Sequence, residues 1–120
     1  MKKVLLFLLV SFLLTSCTLD CNYGYPHKIV FEKEGGTKIC SGGETTYSIE
    51  ITDYNGKGAV EEELTPDSIV CTYDWLIVKS RNYSSELIVT AAPNKTHKKR
   101  TLYISAWVDD SGADIKVVQH

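Results

Sequence analysis

The cysteines are the side chains of this sequence with the widest range of possible chemistry. A thiol can be acylated, oxidised to a disulfide or used as a metal ligand, and the chain has four of them, at Cys17, Cys21, Cys40 and Cys71. A structural zinc site needs ligands grouped at short, regular spacings. The spacing of these four predicts no metal site, which leaves acylation and disulfide formation.

Cys17 follows a segment with the features of a bacterial export signal. Two lysines precede an apolar run, as in the n-region and h-region of a signal peptide over residues 1–16. Leu14-Thr15-Ser16-Cys17 resembles the lipobox, in which cleavage leaves an N-terminal lipidated cysteine. The segment predicts an outer-membrane lipoprotein of the bacterial cell envelope, with the membrane as partner of the Cys17 anchor and its side undecided. The alternative is an ordinary secreted protein in which Cys17 is incidental.

Cys40 and Cys71 could form a disulfide, because exported proteins meet an oxidising compartment. The bridge would close a loop of about 30 residues and stabilise the fold by roughly 3–4 kcal/mol. The alternative is two free thiols, since a buried cysteine also serves as a small apolar side chain. The phase of Cys40 relative to Ile39 directs Cys40 away from the predicted core, which favours the free thiols slightly.

The organisation of the remaining chain follows from its turn residues and its alternation. Residues 17–27 predict the lipidated cysteine and a short tether, punctuated by Gly24 and Pro26. From residue 28 to 120, short runs of β-branched and aromatic residues alternate with turn signals. This pattern predicts an all-β domain, an immunoglobulin-like β-sandwich of seven or eight antiparallel strands. The predicted strands cover residues 28–34, 39–41, 47–52, 59–64, 69–78, 86–91, 101–108 and 114–119.

Three of these segments carry more specific predictions. Asp53–Gly58 predicts a hairpin turn, since Asn-Gly is favoured where φ is positive. Residues 59–64 predict an edge strand that is protected from further pairing by its glutamates. Residues 69–78 form the most apolar run of the domain and predict a central strand, bent near Asp74.

The order of several short motifs resembles the BACON domain, a Bacteroidetes-associated module. The matching segments are Ile29–Phe31 with Gly35-Gly36, Trp75–Val78, Val89–Asn94, Arg100–Ser105 and Ile115–Gln119. The resemblance spans Ile29 to Gln119 and is best in the C-terminal part of the chain. It implies an immunoglobulin-like fold, an envelope setting and carbohydrate binding.

Residue spacing predicts no catalytic site and no cofactor. The histidines lie in the tether, a basic loop and the terminus, and none adjoins a nucleophile motif. Glu61, Glu62 and Glu63 are consecutive, so strand geometry directs them to alternate faces. The sequence therefore predicts a non-enzymatic protein.

Tyr103 and Trp107 are the candidate ligand-binding residues. Alternation along residues 101–108 places them on the face opposite Leu102 and Ile104, and aromatic rings stack against sugars. The alternative is that both rings cover an outer sheet face as structural residues. Trp75 is expected in the core, as a sandwich tryptophan commonly is.

Two further sequence features bear on partners and modification. His97-Lys98-Lys99-Arg100 could meet an anion, although such a run is more often a solvated turn. Asp67-Ser68-Ile69 fits a short bacterial O-glycosylation signature and makes Ser68 a candidate site. Thirteen basic and fifteen acidic residues give a net charge of −2, which argues against a nucleic-acid partner. The expected partner is a glycan or another envelope protein, with a spacer domain that binds no carbohydrate as the alternative.

Overall fold

The computed structural model describes residues 22–81 and 84–120. The predicted signal peptide, Cys17 and Cys21 lie outside these residues. None of the residues it describes forms a helix long and apolar enough to cross a membrane.

The described chain is an all-β sandwich of two five-stranded sheets, as the alternation predicts. The first sheet has the order β1-β10-β9-β3-β4 and the second the order β2-β8-β7-β6-β5. The strands are β1 (Lys28–Phe31), β2 (Gly36–Ser41), β3 (Ser48–Thr52), β4 (Gly58–Val60), β5 (Glu62–Thr65), β6 (Ser68–Tyr73), β7 (Leu76–Arg81), β8 (Glu86–Ala91), β9 (Arg100–Trp107) and β10 (Gly112–Gln119).

The neighbour relations are those of an immunoglobulin-like sandwich. In that fold, strands C, F and G share one sheet and strands B, E and D the other. Here β3, β9 and β10 occupy the positions of C, F and G, while β2, β8 and β7 occupy those of B, E and D.

The strand count differs from the predicted seven or eight because two predicted strands are each divided. The segment 59–64 contributes β4 to the first sheet and β5 to the second, so the chain changes sheets at Glu61. The apolar run 69–78 is a hairpin of β6 and β7, and Asp74 in its turn has φ of 55°. A turn here lets both halves of the run bury their side chains in neighbouring strands, which a single bent strand does not.

Strand direction also differs from the prediction at one edge. β1 pairs with β10 in parallel, from Lys28 beside Lys116 to Phe31 beside Gln119, whereas the other ladders are antiparallel. Most of the described chain separates these two strands. No hairpin links them, so their antiparallel pairing is not enforced.

Local turn predictions agree with the structure. Asp53 and Lys57 close the turn between β3 and β4, where the Asp53 carboxylate accepts the backbone N–H groups of Asn55 and Lys57. Gly56 has φ of 86°, a conformation that glycine adopts without strain. β5 is an edge strand with every residue exposed, and Glu62 and Glu63 lie on it as the sequence predicts.

The core lies between the two inner sheet faces. β9 buries Leu102, Ile104 and Ala106, in agreement with the predicted alternation. Trp75 is buried, also as predicted. The remaining large contributors come from both sheets and include Phe31, Ile49, Ile51, Leu76, Val78, Leu87, Val89, Ile115 and Val117.

Residues 22–27, which the sequence assigns to the tether, pack against the sandwich. The buried Asn22 side chain accepts the Asp114 N–H at 2.9 Å and donates to the Asp114 carbonyl at 3.0 Å. Tyr25 lies in the core, and its hydroxyl donates to the Glu44 carbonyl. The Tyr25 ring packs directly against Gly42. A Cβ at position 42 would lie 2.1 Å from a ring carbon, so only glycine fits at that position. We call this end of the sandwich, marked by Asn22, the tether end.

The two faces of β9 generate a stability prediction. Ile104→Ala removes a buried side chain, and we expect it to lower the free energy of unfolding by roughly 2–5 kcal/mol. Trp107→Ala should cost clearly less, because 37% of that residue is exposed. Urea unfolding of both variants measures the difference. Equal losses would show that the Trp107 ring is structural.

Candidate functional site

The outer face of β9 carries the two aromatic residues singled out in the sequence. Trp107 is exposed and Tyr103 is half-buried, and their side chains point away from the core. They lie four residues apart, so their Cα atoms are separated by about 13 Å along the strand. That length exceeds a single sugar ring, so the two rings could contact different units of an oligosaccharide.

Polar side chains occupy the space between the two rings. Ser105 lies on β9 midway between them, with Asp114 beside it on β10 and Glu50 beside it on β3. Residues opposite each other in a ladder share a face of the sheet. The Ser105 hydroxyl donates to the Asp114 carboxylate at 3.2 Å. We call Tyr103, Ser105, Trp107, Glu50 and Asp114 the platform.

Small neighbours leave part of the Trp107 side chain exposed. Its cross-strand partners are Gly112 on β10 and Ser48 on β3, neither of which has a side chain long enough to cover an indole. A Cβ on Gly112 would lie 2.7 Å from the Ala106 carbonyl oxygen, so the ladder itself requires glycine there. The Ser48 hydroxyl donates to the Glu61 carboxylate at 3.0 Å. The sequence alone does not show that Gly112 and Ser48 flank Trp107, because this depends on the register of the paired strands.

Two tyrosines brace the turn that follows Trp107. The Tyr47 hydroxyl donates to the Asp109 carbonyl at 2.8 Å, and the Tyr47 N–H donates to the Trp107 carbonyl at 3.1 Å. The hydroxyl groups of Tyr23 and Ser111 also hydrogen-bond. Tyr47 is 55% exposed although it shares the alternation of the buried Ile49 and Ile51. Sequence alternation therefore groups Tyr47 with the buried residues, whereas the structure exposes it. The alternation does not extend to Tyr47 because β3 begins only at Ser48.

The two described cysteines are free thiols, and the topology prevents their pairing. Cys40 lies on β2 and Cys71 on β6, with β8 and β7 between them in the same sheet. Three strand spacings separate their backbones by about 14 Å. A disulfide requires Cα atoms within about 7 Å, so the candidate bridge is not formed. The prediction about the phase of Cys40 was wrong, since Cys40 packs against the core and Ile39 is 61% exposed.

Ser68 does not present its hydroxyl to solvent. The residue is buried at the start of β6, and its hydroxyl hydrogen-bonds that of Thr65 at 3.0 Å. Attachment of a glycan to Ser68 would have to open this turn. The placement therefore disfavours O-glycosylation of the folded domain.

Acidic and metal-ligating side chains are also accounted for in the part of the chain that the structure describes. There, no group of three or more His, Cys, Asp or Glu residues is placed to hold a metal ion. The Glu61 carboxylate accepts the Ile49 N–H at 2.9 Å in addition to the Ser48 hydroxyl. Glu61 thus ties the crossing between the sheets to β3.

Comparisons with known proteins bear on the fold. No family model and no curated protein match this chain. The NMR structure of a protein from Bacteroides thetaiotaomicron is similar, with a TM-score of 0.55 at 19% sequence identity. The similarity covers 80% of this chain and 81% of that one. At this identity the likeness shows a shared all-β sandwich, and the resemblance to the BACON domain stays a prediction.

The thiol of Cys71 generates a prediction about pH. Burial raises the pKa of Cys71 from its usual value of 9.0 to about 11. The unfolded chain releases this proton near pH 9, whereas the folded chain keeps it until about pH 11. The contribution of the protonated Cys71 thiol to the free energy of unfolding is therefore complete below pH 9 and is lost as the pH rises toward 11. Between pH 8 and pH 10.5, the wild-type protein should lose roughly 1–3 kcal/mol more stability than Cys71→Ala.

Urea unfolding of both proteins at the two pH values measures this difference. The subtraction removes contributions of other groups that titrate in this range, including Tyr25 and Tyr73, whose pKa values are also raised. Identical pH dependence in the two proteins would contradict the prediction.

Proposed function

We propose that this protein is a lipid-anchored, non-catalytic component of a bacterial cell envelope whose sandwich binds a glycan on the platform. The observation that carries the proposal is the partly exposed side chain of Trp107, flanked by Gly112 and Ser48. Aromatic faces in water are natural stacking surfaces for the apolar faces of sugars. Ser105, Asp114 and Glu50 supply hydrogen-bonding groups beside the ring.

The β9 strand holds the platform side chains on a rigid backbone. Hydrogen bonds on both sides hold the β9 backbone, which pairs with β10 and with β3. A binding site on a rigid strand loses little conformational entropy when the ligand binds. The bracing of the 108–111 turn by Tyr47 and Tyr23 extends this rigidity to the residues after Trp107.

The anchor proposal rests on the lipobox at Cys17 and on where the domain begins. Asn22 is fixed to β10, and five peptide units separate it from Cys17. A fully extended chain of that length spans at most about 18 Å. Lipidation at Cys17 would hold the tether end close to the membrane surface.

Glycan binding is tested with the full chain, purified in detergent, on an array of bacterial and plant glycans. Once a binding glycan is found, Trp107→Ala should weaken binding about thirtyfold or more, as expected for a tryptophan at a binding hot spot. Tyr54→Ala is the control for loss of an exposed aromatic side chain, since Tyr54 is 87% exposed in the turn after β3, about 20 Å along that strand from Ser48, the partner of Trp107. Equal weakening by the two variants, or no loss in Trp107→Ala, would refute the platform.

A protein-interaction or spacer role is the second candidate. The observation in its favour is the outer face of the second sheet, where Ile39 and Ile77 are 61% and 41% exposed. An array on which the intact protein binds no glycan would favour this role over the platform.

Lipidation is tested independently of ligand binding. In a bacterial host that is fed a labelled fatty acid, Cys17→Ala should abolish labelling and release the protein from membranes. Cys21→Ala is the matched control, and it should retain both labelling and membrane attachment. Unchanged labelling of Cys17→Ala would exclude the lipoprotein assignment.

A further inference from the structure

A concave surface, separate from the platform, lies at the end of the sandwich opposite Asn22. It is a cleft of about 670 Å³, a size typical of small-ligand sites. The chain after β1 and the loop between β8 and β9 form its walls, and His120, which follows β10, also lines it. Asn22 contacts Asp114 near the start of β10, so the cleft lies about 20 Å away along that strand. We call this surface the basic cleft.

The side chains lining the basic cleft carry a concentrated positive charge. Among the described residues that line it, the lysines are Lys33, Lys95, Lys98 and Lys99, and the acidic residue is Glu34. Their formal charge is +3 with neutral histidines, although the whole chain carries −2. His97 and His120 add further nitrogen donors. Like charges held in a concave surface focus the field and favour a bound anion.

The loop that carries three of these lysines is tightly ordered around a buried side chain. The Asn94 amide donates to the carbonyl oxygens of Lys98, at 2.8 Å, and His120, at 3.2 Å. Its side-chain oxygen accepts the N–H and the hydroxyl of Thr96, at 2.9 and 2.6 Å. The loop is therefore shaped before any ligand arrives, which lowers the entropic cost of binding.

Backbone contacts fix this loop against Lys33 on the opposite wall. The Asn94 N–H donates to the Lys33 carbonyl at 2.7 Å. His97 has φ of 65°, in the left-handed region that non-glycine residues seldom occupy. Strained backbone of this kind persists where surrounding contacts determine it, and it is common at ligand sites.

Arg100, the last residue of the basic tetrad, has a different role. Its guanidinium stacks over the Trp75 ring at 4.7 Å and donates to the Gln119 side chain at 2.9 Å. It also donates to the carbonyl oxygens of Ala92 and Pro93. Arg100 therefore anchors the base of the loop, which leaves the lysines as the charges available to a ligand.

We propose that the basic cleft binds a small, multiply charged anion that carries phosphate or sulfate groups. Lysine ammonium groups bind such oxygens as point charges from several directions, and here they converge from two segments. The platform lies elsewhere, since Trp107 and Arg100 are at opposite ends of β9, about 23 Å apart. This site is therefore independent of the proposed glycan binding.

Isothermal titration calorimetry of the full chain in detergent and low salt tests the proposal, with inorganic pyrophosphate and sucrose octasulfate as probes. At least one of the two probes should bind. If only one binds, it identifies whether the cleft prefers phosphate or sulfate groups. Replacing two lysines, Lys98→Gln with Lys99→Gln, should weaken binding about ten- to a hundredfold. The matched control is Lys57→Gln with Lys79→Gln, which removes the same charge outside the cleft and should change binding less than about twofold.

Three outcomes would overturn the proposal. The first is that neither probe binds. The second is that the two double variants weaken binding equally, which would indicate the general field of the protein. The third is that a twelve-nucleotide oligothymidylate binds as tightly as sucrose octasulfate, which would indicate a single-stranded nucleic-acid ligand instead. Lys57, Lys98 and Lys99 are exposed and Lys79 is half-buried, so the variants should fold, and circular dichroism verifies this.

Discussion

The carboxamide of Gln119 holds together the chain segments at the end of the sandwich that carries the basic cleft. The residue is fully buried, and its nitrogen donates to the carbonyl oxygens of Glu32 and Ala92 at 3.1 and 2.9 Å. Its oxygen accepts the Arg100 Nε–H at 2.9 Å. A buried amide without partners would cost about 1–3 kcal/mol, so burial of Gln119 requires all these segments to meet. Ala92 follows β8 of the second sheet, whereas Glu32 follows β1 and Arg100 begins β9, both strands of the first sheet, so the amide connects the two sheets.

The length of the strands explains why the platform and the basic cleft can coexist on so small a domain. The antiparallel strands β9 and β10 have eight residues each and are about 25 Å long, which keeps the loops at their two ends apart. Asn22 and Tyr25 fix the tether end, whereas Gln119 and Asn94 fix the end with the basic cleft. The platform occupies a sheet face between them. Each surface therefore depends on its own set of buried polar contacts.

Orientation connects these surfaces to the proposed anchor. If Cys17 holds the tether end near the membrane, the basic cleft points away from that membrane. Its ligand would then come from the surrounding space rather than from the headgroups of the anchoring bilayer. The exposed Trp107 lies at the tether end of β9, so a glycan on the platform would extend along the sheet from the membrane side.

Local features of the sequence determined much of the fold. Alternation placed Leu102 and Ile104 in the core and Trp107 outside it, because strand geometry directs successive side chains to opposite faces. Charged residues marked β5 as an edge, and Asn-Gly marked the turn between β3 and β4. The type of each residue and that of its neighbours carry this information.

Tertiary structure decided which segments meet. The apolar run 69–78 fits one long strand as well as two paired ones, so the sequence predicted only a bend near Asp74 and not the hairpin turn that lies there. Cys40 and Ile39 are both apolar, and only the packing of β2 determined which one faces the core. Three lysines of the basic cleft share the 93–99 loop, whereas Lys33 is distant in sequence and joins them because parallel pairing of β1 with β10 brings it to that loop. Such convergence depends on long-range register, which short-range periodicity does not encode.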